Sequence, residues 1–466
     1  MISRYLDIPQ AILFSSLVLI LAVASLTALS PVIVFASSLS LLLFLLSLRW
    51  PRVLLGLFAA TIPLIRQRIA TQGILGAVEI GEIVVFAGIT QLVLELLVFR
   101  KRIRLPPFYV VLSVIAMPFL SLFWSQDPSV TLFVLRTQVK IFFLVTYLLN
   151  RFSDRGEIEF FLHVYTGAGI FFAMLNISDT FFHFSERVTL GGRSGYLISS
   201  PNAFGDYLLT LLPFYLTAGA KKGFSSKVCF AILLLGLVQT FSRGSWLGFL
   251  ASLICITILS GRIISRKMVI LFLVGVLVVA SSQVIGTWTS KRADVTYTVT
   301  GRFVQTVQML RGERKSGSDL RRELLYRATL ETFREYPWLG LGEGVFADQL
   351  VIQDKTKINT HSTFTNILGS RGLIGLSLWL YMLACLTFSL LKRYRGANGE
   401  DKLSLYAIGA LVGTTVHQFV IDGHILPYFW TVATIGIALA SRKPYVSRLN
   451  RESYDDKPIQ RTISTC

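Results

Sequence analysis

Apolar residues occur along this chain in long runs, and short, mostly basic segments separate them. Runs such as AILFSSLVLILAVASLTAL and KMVILFLVGVLVVASSQVIG reach the ~20 residues that a helix needs to cross a bilayer. The pattern therefore predicts an all-α, polytopic transmembrane helix bundle of about 12–14 spans. The first run is too long for a removable signal peptide, and we interpret it as the first span. We place the spans at 10–28, 31–48, 52–65, 80–99, 106–124, 128–149, 157–181, 201–219, 226–242, 244–261, 267–286, 362–391, 403–420 and 425–441.

One long segment, about 287–360, interrupts this series of spans. It contains SGSDLRRELLYRATLETFREYPWLGLGEGVFADQL, in which Ser and Asp can cap a helix and apolar residues follow at helical spacing as far as Phe333. Pro337 and a glycine-rich turn end that pattern. We predict one or two amphipathic helices that lie on or near the outer membrane surface.

The charges agree with a membrane protein and assign its orientation. Charged residues make up 15% of the chain, whereas soluble proteins contain about 25%. A net charge of +19 can indicate nucleic-acid binding, but here Lys and Arg cluster between the spans, as the positive-inside rule predicts. With the N-terminus in the cytoplasm, the inner segments hold 25 of the 45 Lys and Arg. We therefore predict that both termini are cytoplasmic. The four cysteines show no spacing that suits a disulfide framework or a zinc site.

Three arginines and a histidine share the outer membrane boundary in this topology. Arg193 lies in GGRSGYLISSPNAFGDYL just before a span, Arg243 lies in the turn between two spans, and Arg322 lies in the long loop. His361 precedes the span at 362–391. Because guanidinium groups bind phosphate oxygens through paired, charge-assisted hydrogen bonds, this group predicts a site for an anionic ligand such as a lipid pyrophosphate.

Each of these residues also has a structural interpretation. A single arginine at the end of a span commonly anchors that span at the headgroups, and a lone histidine there commonly serves the structure. We assign such a structural role to the other four histidines, His163, His183, His417 and His424. Arg136 and Lys140, one helical turn apart in the segment 128–149, either line a polar cavity or lie with that segment on the membrane surface.

The motifs of the second half resemble the O-antigen ligase and polymerase superfamily over about residues 193–440. The family's pattern of Arg, three residues and Leu is matched by Arg243 and Leu247, and its pattern of His, ten residues and Gly by His361 and Gly372. GRSGYLISSPNAFGDYL is similar to the family segment that contains Arg193, and RRELLYRATLETF resembles its loop helix, which places Arg322 at that helix's arginine.

The resemblance implies an inner-membrane glycosyltransferase whose active site is on the periplasmic face. Such an enzyme moves a glycan from an undecaprenyl-pyrophosphate carrier to an acceptor hydroxyl and inverts the anomeric centre. It needs no metal, no other cofactor and no ATP. For an O-antigen ligase the acceptor is the lipid A–core sugar of lipopolysaccharide, and for a polymerase it is another lipid-linked glycan. His361 would be the catalytic base, and Arg193, Arg243 and Arg322 would bind the pyrophosphate.

These expectations divide the chain into five parts. We predict N-terminal transmembrane helices over 1–192, helices with outer arginine motifs over 193–286, a large, partly helical periplasmic loop over 287–361, C-terminal helices over 362–441, and a cytoplasmic tail over 442–466. The rival function from another class is transport of a small anion. Transporters commonly show inverted repeats that meet at the midplane, and we find no such internal symmetry.

Overall fold

The computed structural model describes residues 50–64, 68–69, 78–182, 200–221, 224–240, 242–261, 317–349 and 362–442. This part of the chain is helical apart from a short antiparallel pair, β1 (Arg68–Ile69) with β2 (Val78–Glu79). The helices are α1 (Pro51–Thr61), α2 (Ile80–Leu97), α3 (Phe108–Val111), α4 (Met117–Leu120), α5 (Pro128–Arg151), α6 (Arg155–Phe182), α7 (Pro201–Lys221), α8 (Phe224–Gln239), α9 (Arg243–Ser260), α10 (Gly317–Glu335), α11 (Val345–Gln349), α12 (Thr363–Gly396), α13 (Lys402–His417) and α14 (Pro427–Ala440).

The described residues confirm the predicted helical fold, and their apolar helices indicate a membrane protein. Four of those described are long and apolar enough to cross a bilayer: Pro128–Arg151, Arg155–Ser178, Arg243–Ser260 and Thr363–Gly396. Shorter apolar helices occupy the predicted spans at 52–65, 80–99, 106–124, 226–242 and 425–441. The predicted spans at 201–219 and 403–420 contain α7 and α13. The predicted spans at 10–28, 31–48 and 267–286 lie outside the described residues, so the total number of spans stays a prediction.

The polar residues that begin three of these helices explain their boundaries. Asp127 caps α5 by accepting hydrogen bonds from the backbone amides of Ser129 and Val130, and Pro128 occupies the first position, where a missing amide hydrogen costs nothing. Ser242 caps α9 and Ser362 caps α12 in the same way. Side-chain oxygens thus satisfy amide groups that a helix leaves free at its N-terminus.

Buried and partly buried ion pairs hold together the end of the bundle at which α5 and α12 finish. Arg151 contacts Glu95 at 2.9 Å, and Arg393 donates to Asp401 at 2.5 Å. Asp401 also lies 3.8 Å from Arg155 at the start of α6. This end carries the segments that the charge pattern assigns to the cytoplasm. The candidate site lies at the other end, which we call the site end.

Helices α9 and α13 pack most closely in the bundle, and glycines permit this contact. A Cβ atom on Gly248 of α9 would lie 2.5 Å from the carbonyl oxygen of Gly413 in α13, and one on Gly413 would lie 2.9 Å from the carbonyl oxygen of Gly248. Small residues commonly allow such a close approach of membrane helices. This contact fixes the start of α9 against the end of α13, where the candidate site lies.

Candidate functional site

Arg243 is the first residue of α9 and lies at the site end of the bundle, half-buried. The residue that follows it, Gly244, packs against the turn after α13. A Cβ atom on Gly244 would lie 1.9 Å from Val420 Cγ2 and 2.9 Å from His417 Cδ2. The glycine after Arg243 is therefore required by the close contact between this helix start and the turn 418–421.

The start of α12 is held on the same turn. The backbone amide of Thr363 donates to the carbonyl oxygens of Gln418 at 2.9 Å and Ile421 at 3.1 Å, and the Thr363 hydroxyl also donates to Ile421. Ser362 is buried. His361 itself lies outside the described residues. The turn 418–421 thus anchors both the start of α9, which carries Arg243, and Thr363, two residues after His361.

A buried polar cluster, which we call the His417 clamp, lies beneath Arg243. His417 Nδ1 is 3.0 Å from Asp206 Oδ1 in α7, and its Nε2 is 3.1 Å from Ser245 Oγ and 3.4 Å from Ser242 Oγ. The two serines flank Arg243 in sequence and are themselves buried. The clamp joins α7, α9 and α13 immediately behind the arginine.

A second cluster forms where α12 is broken. Gly372 has φ 61° and ψ −161°, so the helical path is interrupted after Arg371. The glycine-rich loop enters this break: Leu341 and Gly342 donate backbone hydrogen bonds to Gly369 and Ser370, at 3.0 and 2.9 Å. Because only glycine readily adopts the backbone conformation of Gly372, the structure gives a physical reason for the glycine of the pattern His, ten residues and Gly.

Arg371 pairs with Glu343 from the glycine-rich loop inside this second cluster. The guanidinium donates from Nε to Oε2 and from Nη2 to Oε1, the latter at 2.9 Å, and its Nη1 donates to the carbonyl oxygen of Ser113 at 2.9 Å. Gln138 of α5 also donates to Glu343, at 3.3 Å. Both charged side chains are almost fully buried. Burial alone would raise the pKa of Glu343, but the Arg371 guanidinium outweighs it and holds that pKa well below its usual range.

His424 and Asp422 extend this cluster toward the turn after α13. His424 Nδ1 lies 2.7 Å from Asp422 Oδ1, and its Nε2 lies 3.9 Å from Glu343 Oε1. Asp422 also accepts a hydrogen bond from Asn366 of α12 at 2.7 Å. Burial lowers the pKa of His424, but the two carboxylates more than compensate and raise it to about 8. The loop between α13 and α14 is thereby tied to α12 and to the glycine-rich loop.

The helix predicted in the segment 287–360 is present as α10, and the assignment of this segment to a periplasmic loop stays a prediction. Leu325 of α10 packs in a small apolar cluster with Leu341 of the glycine-rich loop and with Val345 and Phe346 of α11. The backbone of Arg322 lies one turn before Leu325, so α10 carries this arginine to the site end. The direction of the Arg322 side chain is not described.

The other predicted site residues fall in different places. Arg193 and His361 lie outside the described residues. The segment that contains Arg136 and Lys140 is a transmembrane helix candidate, α5. On this helix Lys140 is half-buried and Arg136 is exposed, so Arg136 is not enclosed within the bundle. A cavity lined by these two residues stays a prediction.

Sequence reasoning missed Glu343 and Asp206, the buried partners of Arg371 and His417. Two signals were visible: Glu343 is an acid between glycines in GLGEG, and Asp206 is an acid in an apolar span. Acids in such positions need a partner because an isolated buried charge is costly. The structural role predicted for His417 and His424 agrees with their burial and their contacts with aspartate.

Comparison with known protein families gives a match in the second half of the chain. Residues 228–380 match the family model described as O-antigen ligase, which confirms the predicted resemblance to the O-antigen ligase superfamily. The matched region runs from α8 to the middle of α12 and includes Arg243, Arg322, Glu343, His361 and Arg371. No curated protein matches the chain significantly.

Proposed function

Starting from an O-antigen ligase domain at residues 228–380, we propose that this membrane protein transfers a glycan from an undecaprenyl-pyrophosphate carrier to the hydroxyl group of an acceptor sugar. The acceptor that we propose is the lipid A–core of lipopolysaccharide, which makes the protein an O-antigen ligase of the inner membrane. The active site is at the site end of the bundle, on the periplasmic face.

One observation carries this proposal beyond the family match. The turn 418–421 contacts Gly244, which follows Arg243, and accepts hydrogen bonds from Thr363, two residues after His361. Gly244 and Thr363, which are close in sequence to the candidate pyrophosphate ligand and the candidate base, are thus anchored on one short segment although more than a hundred residues separate them. Transfer requires the leaving group and the attacking hydroxyl to lie on either side of one anomeric carbon, so both groups must be held at a single place.

The proposed reaction is a direct displacement. The acceptor oxygen forms a bond to the anomeric carbon while the bond from that carbon to the pyrophosphate oxygen breaks. His361, as the neutral imidazole, takes the proton of the attacking hydroxyl, and the electron pair of the broken bond leaves with undecaprenyl pyrophosphate. Arg193, Arg243 and Arg322 stabilise the charge that develops on the leaving group. The anomeric configuration is inverted.

The alternative within the superfamily is a polymerase, in which the acceptor is a second lipid-linked glycan. The two activities share the donor and the displacement step and differ only in the acceptor. Small-anion transport is the rival from another class. The glycine-rich loop and the start of α12 enclose their polar groups at one end of the bundle, whereas a transport site is expected near the membrane midplane.

The purified protein tests the proposal directly. It is incubated in detergent or liposomes with an undecaprenyl-pyrophosphate-linked glycan, in the presence of EDTA and without nucleotide, together with either lipid A–core or a second portion of the donor. We expect glycan-bearing lipid A–core. Longer lipid-linked glycan instead would assign the polymerase function. A protein that forms neither product, but releases a trapped anion from liposomes, would contradict glycan transfer and support the transport alternative.

A further inference from the structure

We propose that His417, held by Asp206, is a positioning residue that sets the location of Arg243. This inference rests on the proposed function, because it assigns His417 and Asp206 to the pyrophosphate-binding part of that site. Neither residue lies in the region that matches the family model, and neither would touch the substrate. Their effect passes through the two serines on either side of Arg243.

The contacts define what each atom of the imidazole does. An ionised carboxylate only accepts hydrogen bonds, so His417 Nδ1 must carry the hydrogen that lies toward Asp206 Oδ1 at 3.0 Å. In the neutral ring, Nε2 is then an acceptor, and the Ser245 hydroxyl at 3.1 Å is the donor best placed to reach it. Asp206 has no other side-chain hydrogen bond among the described residues, so the two groups form a fixed pair.

The surroundings prevent this pair from relaxing. Asp206, Ser245 and His417 have no exposed surface. A Cβ atom on Gly205 would lie 2.1 Å from Ser245 Oγ, so the backbone of α7 is in direct contact with the serine. The imidazole therefore cannot turn without breaking buried hydrogen bonds, which are costly to leave unmade.

The serines transmit this constraint to the arginine. Ser242 Oγ is 3.4 Å from His417 Nε2 and also accepts from the Ser245 backbone amide, which is the hydrogen bond that caps α9. Arg243 lies between these two residues and begins the helix. Fixing both serines on one imidazole fixes the first turn of α9 and, with it, the backbone from which the Arg243 guanidinium extends.

The clamp is built like a catalytic Asp–His–Ser triad, but it does not work as one. A nucleophilic serine needs access to a substrate, and Ser245 is sealed between α7 and α13. Here the contacts from Asp206 through His417 to Ser245 orient the start of α9. A positioning role explains why Asp206, His417 and Ser245 are buried here, although polar groups in an apolar core normally cost stability.

A double-mutant cycle tests the inference. His417→Asn keeps a donor for Asp206 but is too short to reach the serines, so we expect kcat/KM for glycan transfer to fall about 10–100-fold, the scale associated with small misplacements of a binding group. Arg243→Lys lowers kcat/KM as well, because lysine loses the paired hydrogen bonds. If His417 acts through Arg243, adding His417→Asn to Arg243→Lys lowers the rate little further.

The matched control is Asp401→Asn, at the opposite end of the bundle. Asp401 is equally buried, and its hydrogen bonds and ion pairs among the described residues join it to Arg393, Ser404 and Arg155, none of which is in α9. We expect this variant to lower the thermal midpoint while activity per folded molecule stays unchanged. Ser245→Ala provides a second route to the same answer if His417→Asn folds poorly, since it removes the hydroxyl group near Nε2 and adds no volume.

Three results would overturn the inference. Full kcat/KM in folded His417→Asn or Ser245→Ala would show that the contact is not needed. Losses that multiply in the double variant, as for unconnected sites, would show that His417 does not act through Arg243. A wild-type protein that neither transfers glycan nor binds undecaprenyl pyrophosphate would remove the proposed function, and this inference with it.

Discussion

Arg371, near the start of the apolar helix α12, donates hydrogen bonds to both carboxylate oxygens of Glu343 in the glycine-rich loop. The two residues are almost fully buried, and they lie where Gly372 interrupts α12. The loop therefore docks into the interruption, and the ion pair closes the contact. This relationship links the part of the chain that carries Arg322 to the helix that begins after His361.

Breaking this pair from one side should destabilise the protein strongly. Arg371→Ala or Glu343→Ala leaves an unpaired charge inside the bundle, which typically costs about 3–5 kcal/mol. We expect the thermal midpoint in detergent to fall sharply for each single variant. The double variant should be no less stable than either single one, because it leaves no buried charge unpaired.

The exposed pair Arg327 and Glu323 on α10 is the control for this prediction. Its atoms are 2.8 Å apart, but the arginine is largely exposed. Surface pairs of this kind contribute about 0–1 kcal/mol, so Glu323→Ala should leave the thermal midpoint nearly unchanged. An equal effect at both pairs would contradict a special role for the buried one.

Gly372→Ala should also be severe, for two physical reasons. The φ of 61° with ψ of −161° is a conformation that residues with a Cβ rarely adopt, and the new Cβ would lie 2.4 Å from the backbone of Trp338. We expect a large loss of folded protein, measured by size-exclusion chromatography and thermal unfolding. Gly167→Ala is the control, because a Cβ there meets nothing within 4 Å and alanine favours the helix.

The stability of the protein should depend on pH through His424. Its pKa is raised from 6.5 to about 8, above all because Asp422 opposes the effect of burial. A raised pKa contributes stability that is fully present below about pH 6.5 and is lost as the pH rises through about 8. The thermal midpoint of wild-type protein should fall across this range. His424→Gln should flatten that dependence, and an unchanged slope in this variant would assign it to another group.

Much of the fold could be predicted because hydropathy and capping residues are local properties. The segment 128–149 becomes α5, and Asp127 followed by Pro128 marks its start. The loop helix ends at Glu335, before the predicted stop at Pro337. Such features depend on residues that are close together in sequence, so their pattern is visible without a structure.

The pairs that form the site could not be predicted in this way. Arg371 was recognisable as a charge among apolar residues, but nothing local identifies Glu343, 28 residues before it, as its partner. Asp206 and His417 are 211 residues apart. Their contacts depend on which helices are neighbours, and hydropathy contains no information about that. The interruption at Gly372 likewise depends on the loop that fills it.

The orientation of the chain gives a prediction that is independent of chemistry. With the native cysteines replaced, a cysteine at Glu331 of α10 should react in intact cells with a thiol reagent that cannot cross the membrane. A cysteine at Ser447 in the tail should react only after the cells are opened. Labelling of the tail in intact cells would reverse the topology and move the proposed active site to the cytoplasmic face.

The base assigned to the reaction is the central claim of this account, and His361→Ala tests it most directly. General-base catalysis typically contributes about 10²–10⁴-fold to a rate. The measurement is the rate of glycan transfer from the undecaprenyl-pyrophosphate donor to acceptor by purified, folded protein, with EDTA present. We predict that His361→Ala lowers this rate at least about 10²-fold while its thermal midpoint stays close to that of wild type. Transfer by the folded variant at a near-normal rate would contradict the assignment, and a strict requirement of the wild type for a divalent metal would contradict charge stabilisation by arginines alone.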